Sequence, residues 1–427
     1  MTTDRYRLGH DVLGPAFATF ARLLLDEAIK DGMTRLAFIA RDGELLLDMT
    51  ARMIDHLRLR EPPRLEYVYL SRLSTILPQY QTFGEAARAE AAAIFGARPT
   101  NLASFLAYFG IDAGTLGTVL HSLDLSPSTE VRSLRDLDRL INDPAFSEVA
   151  ALAIQRQRDL LERYLDQSGL LADRGCAYVD LGWRGSIPAA LGRTFPDRPG
   201  AQPVRCYYFG YWDERDTCSL GDAVVKGLVS DYRRRPTPRE GSSFYLAYLL
   251  EAVCRAAHGT VLGYERDAQG RVIPCLAEGS TNRDAERAGE RWRQPIRQGI
   301  DDFIAENGER YAATASAALL RDAQRRLFRL AFFPRPEELE AVSGLAHTEG
   351  HVPDWVKPLV ENAAPSPFRA PRLWMVGLSS PWRSGYVMAT GGRPLAWAFV
   401  ALECLLLAFP KVRRRLRNLA LRLAGPS

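Results

Sequence analysis

Tyr178-Val179-Asp180-Leu181-Gly182-Trp183-Arg184-Gly185-Ser186-Ile187 is the stretch on which the reading of this chain turns. An apolar run from Cys176 to Val179 leads into the carboxylate of Asp180. Gly182 and Gly185 flank Trp183-Arg184, and Ser186 stands where a helix N-cap is expected. A strand, loop and helix start of this kind offer backbone N–H groups and the positive end of a helix to an anion, which makes a phosphate cradle. A plain βα turn with a capped helix fits the same residues, so the companions of the stretch matter.

Upstream, Phe17, Phe20, Leu23, Leu24 and Leu25 predict a helix that ends near Gly32, and Arg35 to Ile39 predicts a strand. The turn Ala40-Arg41-Asp42-Gly43-Glu44 follows, and then Leu45, Leu46, Met49, Met53 and Ile54 recur at helical spacing before Pro62-Pro63 stops the element. Leu65 to Leu70 predicts a second strand that ends in Ser71-Arg72. Strand, loop, helix and strand make one βαβ unit with a right-handed crossover. Downstream of the opening stretch, Val204 to Tyr211 predicts a fourth strand. Parallel strands joined by helices place their carboxyl ends on one sheet edge, where such folds bind ligands. Arg41, Asp42, Gly43, Ser71, Arg72, Asp180, Arg184, Gly185 and Ser186 fall on that edge.

The chain divides into a first part of the α/β core (1–83), a helical insertion or lid (84–170), a second part of the core (171–265) and a helical C-terminal region (266–427). The insertion is rich in Ala, Leu and Glu, with breaks at Gly96 to Pro99 and at Pro127, and His121 within it reads as structural. From Phe244 to Ala257 the pattern is helical, with Glu251 on an apolar face, either paired in the core or aimed at a site. The chain then turns at His258-Gly259-Thr260. Residues 283–332 predict long charged helices, 334–371 is Pro-rich, and Trp374, Trp382 and Tyr386 add an aromatic region.

With 427 residues, 47% hydrophobic and 25% charged, the sequence is that of a globular protein and not of a disordered one. Its six cysteines form no CxxC pair, and the N-terminus shows no secretory pattern. Neither a zinc site nor a disulfide framework is expected, and a reducing cytoplasm is the expected compartment. A net charge of +4 gives no reason to expect a nucleic-acid partner. The charge is uneven, with clusters at Arg233-Arg234-Arg235 and Arg413-Arg414-Arg415. Leu395 to Phe409 is apolar apart from Glu403, and Lys411, Arg413, Arg414, Arg415, Arg417 and Arg422 follow. The run is too short to span a bilayer, for which about 20 residues are needed. Leu395 to Leu423 therefore reads either as a basic amphipathic segment in peripheral contact with an anionic membrane or as a helix packed on the domain with a basic outer face.

Two family patterns meet these loops. Phe38 to Leu46, with Ser71 and Asp180, resembles the motifs of haloacid-dehalogenase-type phosphohydrolases, but Ala40 occupies the position of the nucleophilic aspartate. Without that carboxylate no phospho-aspartyl intermediate can form, so this alternative implies a catalytically dead relative. The second pattern is that of a phosphoribosyltransferase with a Rossmann-like, mainly parallel sheet. In it Ala40 to Glu44 would be the pyrophosphate loop, Arg72 the basic residue that ends the next strand, and Asp180 with Arg184-Gly185-Ser186 the ribose and 5-phosphate loop. The usual adjacent pair of acids is here reduced to Asp180-Leu181.

Gly14-Pro15, Phe38-Ile39-Ala40-Arg41-Asp42-Gly43, Tyr69-Leu70-Ser71-Arg72, Asp180 to Ser186, His258-Gly259-Thr260 and Gly263-Tyr264 together resemble bacterial glycan phosphoribosyltransferases of polysaccharide-assembly loci. Those domains are often fused to a haloacid-dehalogenase phosphatase. The likeness spans roughly residues 9 to 265. It implies transfer of 5-phosphoribosyl from phosphoribosyl pyrophosphate (PRPP) with Mg²⁺ to a sugar hydroxyl of a lipid-linked glycan such as O antigen or capsule. A separate phosphatase would then leave ribofuranose. Arg41, Asp42, Gly43, Ser71 and Arg72 would hold the pyrophosphate, and Asp180, Gly182, Trp183, Arg184, Gly185 and Ser186 the ribose 5-phosphate. Asp42, Glu251 and His258 are the candidate bases, and Asp42 is equally a candidate metal ligand. A third alternative is a regulator that binds PRPP or a nucleotide without turnover.

Overall fold

The strand residues alternate between two cores, and this sets the layering. In the computed structural model, which describes residues 2–95, 100–212, 223–234, 237–279, 281–348, 356–360, 380 and 382–408, five parallel strands form one sheet. They are β1 (Arg35–Ile39), β2 (Arg64–Val68), β3 (Cys176–Trp183), β4 (Arg205–Tyr211) and β5 (Val224–Asp231), in the order β2-β1-β3-β4-β5. Leu36 and Phe38 of β1, Ala177 and Val179 of β3, and Tyr207 and Phe209 of β4 enter the core on one face. Ala37, Ile39, Cys176, Tyr178, Cys206 and Tyr208 enter the core on the other. A two-residue side-chain period with both faces covered is what a parallel sheet between helical layers requires.

On the first face lie α1 (Gly14–Lys30) and α2 (Gly43–Leu57). The second carries α3 (Arg72–Ile76), the latter half of α4 (Pro144–Gln167), α5 (Ser186–Thr194) and the antiparallel hairpin of β6 (Val261–Arg266) with β7 (Val272–Leu276). The mixed α/β fold with a mainly parallel sheet is thus the one that the sequence predicts. The strand β5 was not expected, because Lys226-Gly227 interrupts its apolar run. Lys226 extends instead to Glu27 of α1 at 2.9 Å and to Asp31, the residue that ends that helix, at 2.5 Å.

The insertion has a core of its own, in which Phe83, Phe105, Phe109 and Phe146 pack edge to face. The helix α4 bridges the two bodies: Phe146, Ala150 and Ile154 belong to the insertion core, and Leu160, Leu161 and Leu165 to the sheet core. The hairpin β6–β7 straddles residue 265, where the sequence division falls. The helices beyond it do not stand apart. After α6 (Ala247–Cys254) and α7 (Thr281–Ala288), α8 (Glu290–Ala313) and α9 (Ser316–Phe332) bury Ile296, Ile300, Leu327 and Leu330 in the same core as α1 and α2.

Helix α10 (Pro336–Val342) and helix α11 (Arg383–Ala408) close this side. Among the described residues no single helix is long and apolar enough to cross a membrane. Trp374, Arg235 and the basic run from Lys411 to Arg422 lie outside the described residues.

Candidate functional site

The sheet register brings the first two loops together. Because β1 pairs directly with β3, with Phe38 opposite Val179, the turn after Ile39 and the loop after Asp180 leave neighbouring strands at the same edge. The peptide bonds Ala40–Arg41 and Gly182–Trp183 are cis. Asp42 immediately precedes α2, yet its carboxylate does not cap that helix and makes no hydrogen bond or ion pair among the described residues. Burial, reinforced by the negative charge of Glu251, pushes its pKa up to about 6 against the pull of Arg41, Arg255 and Arg297. Its oxygens are therefore free, and its proton comes off close to neutral pH.

Asp180 is buried on β3, and its Oδ1 accepts the Leu181 N–H at 2.8 Å. Burial, with the charges of Asp42 and Glu251, raises its pKa well above the usual carboxylate range. Asp42, Asp180 and Glu251 thus form one electrostatic group of acids. Among the described residues no three acidic, histidine or cysteine side chains converge as a protein-only metal site would. Of the three acids, Asp42 is the one whose oxygens have no hydrogen-bond partner among the described residues, and so the one able to meet a divalent cation.

The loop after Asp180 needs its glycines. Gly182 has φ +149°, and a Cβ there would sit 2.3 Å from the Gly210 carbonyl oxygen on β4. Gly185 has φ +76° and is itself the N-cap of α5, so Ser186 is the first helical residue and not the cap that the sequence suggests. A left-handed residue is needed to swing the chain into the helix, and glycine takes that conformation without steric cost. The first helical bond is donated by Ala189 to Gly185, which leaves the N–H groups of Ser186 and Ile187 outside the helical ladder. Arg184 is exposed and has no hydrogen-bond or ion-pair partner among the described residues. Free amides, a helix start and an unengaged arginine suit an anion.

Trp183 turns inward. Its indole N–H donates to Glu251 Oε1 at 2.8 Å, and its ring meets Phe244 edge-on at 5.9 Å. Glu251, on α6, has His347 at 3.3 Å on its other oxygen, and the His347 ring lies tilted against Tyr248 with ring centres 3.9 Å apart. Glu251 is therefore both paired and turned toward the Asp42 group.

Arg41 Nη1 donates to Glu286 Oε1 at 2.6 Å. Glu286, on α7, is only 4% exposed and also accepts from the Thr348 hydroxyl at 2.8 Å, with Arg255 at 3.6 Å and Arg283 at 3.5 Å. Burial opposes its ionisation, but Arg41, Arg255 and Thr348 outweigh burial and hold its pKa below the usual value. Burial and the adjacent Arg41 lower the pKa of Arg255 to about 10, which leaves it cationic at neutral pH. Arg297 of α8 reaches Glu44 at 3.0 Å and the Val253 carbonyl at 2.9 Å. The region after residue 266 thus supplies Glu286, Arg297 and His347 to the surroundings of the site. In the sequence Glu286 and Arg297 look like the solvated faces of charged helices, and His347 falls in the Pro-rich stretch.

The second strand end is engaged differently. Ser71 caps α3 by accepting the Ser74 N–H at 3.0 Å, and it donates to the Val261 carbonyl at 2.5 Å. Arg72 binds Glu90 of the insertion at 2.8 Å. These contacts tie β2 to the hairpin and to the insertion. His258 lies between Tyr67 and Tyr69, with Nδ1 at 2.8 Å from the Gly259 carbonyl and Nε2 at 2.7 Å from the Tyr67 hydroxyl. A carbonyl can only accept, so Nδ1 carries the proton and Nε2 accepts from Tyr67. With its basic nitrogen engaged, His258 holds the aromatic pair and is a weaker candidate base than Asp42. No protein-family model matches this chain, and no curated protein matches it.

Proposed function

We propose that the protein is a PRPP-dependent glycan phosphoribosyltransferase. It transfers 5-phosphoribosyl to a sugar hydroxyl of a bacterial polysaccharide and releases pyrophosphate. The observation that carries this reading is the pairing of an unengaged carboxylate, Asp42, and a free-amide loop, Gly182 to Ser186, at the ends of two adjacent parallel strands. An anion cradle and a base with a pKa near 6 are the two parts that such a transfer needs.

In this reading the amides of Ser186 and Ile187, with Arg184, bind the 5-phosphate, and Asp180 contacts the ribose hydroxyls. Arg41 and Arg255 offer positive charge to the leaving pyrophosphate. The bond from C1 of the ribose to the pyrophosphate oxygen breaks with its electron pair on that oxygen, and the acceptor oxygen bonds to C1. Asp42 takes the acceptor proton, and Glu251, fixed by Trp183 and His347, keeps the pKa of Asp42 high enough to do so. Bound Mg²⁺ would neutralise pyrophosphate charge, with Asp42 as the side chain able to ligate it in place of acting as base. The acceptor is a glycan, lipid-linked in the growing polymer, which puts the reaction at the cytoplasmic face of a membrane. A separate phosphatase removes the 5-phosphate. The dehalogenase-type alternative lacks support, because Ala40 offers no nucleophile.

The test is incubation with PRPP, Mg²⁺ and a panel of lipid-linked and synthetic glycans, with mass spectrometry for addition of a phosphopentose. Addition that depends on PRPP supports the reading. No addition to any acceptor, together with no PRPP binding by calorimetry, overturns it.

A further inference from the structure

Helix α11 contains the apolar run that the sequence shows interrupted by Glu403, and the fold removes that interruption. Glu403 is buried, with the Tyr245 hydroxyl donating to it at 3.1 Å and Arg383 at 3.7 Å. Ala396, Phe399 and Val400 are buried as well. The one acidic residue of the helix therefore faces the protein. The opposite side exposes Pro394, Trp397, Ala398, Ala401 and Leu405, a spacing that draws one stripe along a helix. Trp397 is 62% exposed and Leu405 59%. This stripe contains no charged or polar residue, and a contiguous apolar surface of this kind marks a contact site.

We infer that this outer face of α11 docks on an anionic lipid bilayer. The choice of partner follows from charge. The chain runs from α11 directly into Lys411, Arg413, Arg414, Arg415, Arg417 and Arg422, and no Asp or Glu occurs after Glu403. An apolar stripe followed by a basic segment matches a surface whose headgroups are negative and whose interior is apolar. A nucleic acid would use the arginines but leave the stripe wet. Tryptophan is enriched at the headgroup level, so Trp397 suits the boundary. The geometry calls for a helix lying along the interface, since α11 is not apolar enough to cross it. The inference does not rest on the reaction proposed above.

Co-sedimentation with phosphatidylcholine vesicles, with and without phosphatidylglycerol, tests it on three proteins: the full chain, A401E/L405E and R413A/R414A/R415A. The full chain is expected to sediment with the anionic vesicles, to stay in solution with the neutral ones, and to be released by high salt. A401E/L405E alters only exposed positions. It should keep its circular dichroism spectrum and any transfer to a soluble acceptor, while its partitioning falls about tenfold. The arginine variant should lose the preference for anionic vesicles. A full chain that stays in the supernatant with anionic vesicles at low salt overturns the inference, as does equally tight binding by A401E/L405E. A dimer that A401E/L405E converts to a monomer, with no vesicle binding by either, would assign the face to a second copy of the chain and also overturn it.

Discussion

The indole N–H of Trp183 donates to Glu251 across 2.8 Å, which joins the loop after β3 to helix α6. From sequence alone, Trp183 is open to two uses, stacking on an acceptor sugar or sealing the loop against the core. Its hydrogen bond and its contact with Phe244 describe the second. The tryptophan fixes one oxygen of Glu251, His347 lies against the other, and the charge of Glu251 bears on both Asp42 and Asp180. One interaction outside the amides proposed to bind phosphate thus adds to the effect of burial on the two acids proposed to face the ribose and the acceptor.

Replacing Trp183 by Phe should keep the ring packing and remove the donor. A hydrogen bond to a charged group contributes about 1.5–3 kcal/mol. If that energy holds Glu251 in place for the transfer step, kcat should fall by about tenfold or more while the KM for PRPP changes little. Steady-state kinetics on a confirmed acceptor would decide, and a raised KM with unchanged kcat would move Trp183 to substrate binding.

Asp42→Asn should abolish transfer while PRPP still binds, if Asp42 is the base; loss of binding would indicate metal ligation instead. The same change carries a stability signature. The folded pKa of Asp42 is raised, from 3.8 to about 6, so the folded state takes up the proton more readily than the unfolded state. The carboxylate therefore costs stability in full above pH 6, and that cost declines as the pH falls from 6 to 3.8 and vanishes below it. The shift corresponds to up to about 3 kcal/mol. Asp42→Asn should melt higher than the parent protein at pH 8, by a margin that shrinks to about a third at pH 4.5 and disappears near pH 3, by calorimetry at the three values. Equal melting temperatures at pH 8 would refute the buried-charge account.

The strands that end in functional loops were legible because each joins an apolar run to a glycine-containing turn, as at Phe38 to Gly43 and Val179 to Gly185. The grouping of Asp42 and Asp180 on one edge followed from βαβ topology alone. The partners of Arg41 and Glu251 were not legible. Glu286 and His347 lie far along the chain, in segments whose charge pattern is that of an exposed helix or loop, and only tertiary packing buries them. Strand β5 was hidden for a related reason, since Lys226 looks like a surface residue until α1 and the turn after it provide Glu27 and Asp31. Ser71 and Arg72 show the reverse case. Their place at a strand end was right, but their contacts with Val261 and Glu90 are of the kind that hold elements together.

Glu286→Gln should be strongly destabilising. It leaves the half-buried guanidinium of Arg41 and the buried one of Arg255 without their shared carboxylate, and breaking a buried ion pair costs about 3–5 kcal/mol. Urea unfolding at pH 7 should show a lower midpoint. The pKa of Glu286 is lowered in the fold, so its contribution is present above its unfolded value of 4.5 and is lost as the pH falls through the lower folded value. The gap between parent and variant should accordingly narrow in acid. A gap that stays constant from pH 7 to pH 3 would show that the loss comes from packing and not from charge.

Gly182→Ala tests the loop itself. The new methyl would have to occupy a point 2.3 Å from the Gly210 carbonyl oxygen, on a residue whose φ of +149° side chains rarely adopt. Strand β4 is fixed by pairing on both sides, so the loop has to move instead. A conformation of this kind costs a non-glycine residue about 1–3 kcal/mol, and the clash adds to that. The displaced loop should also carry Trp183 away from Glu251 and shift the amides of Ser186 and Ile187. The variant should therefore melt lower and bind PRPP at least tenfold more weakly, whereas Gly185→Ala, strained by its φ of +76°, should lose about 1 kcal/mol and keep part of its affinity. Equal PRPP affinity in the parent and in Gly182→Ala, measured by calorimetry below the melting temperature of the variant, would remove this loop from the phosphate site.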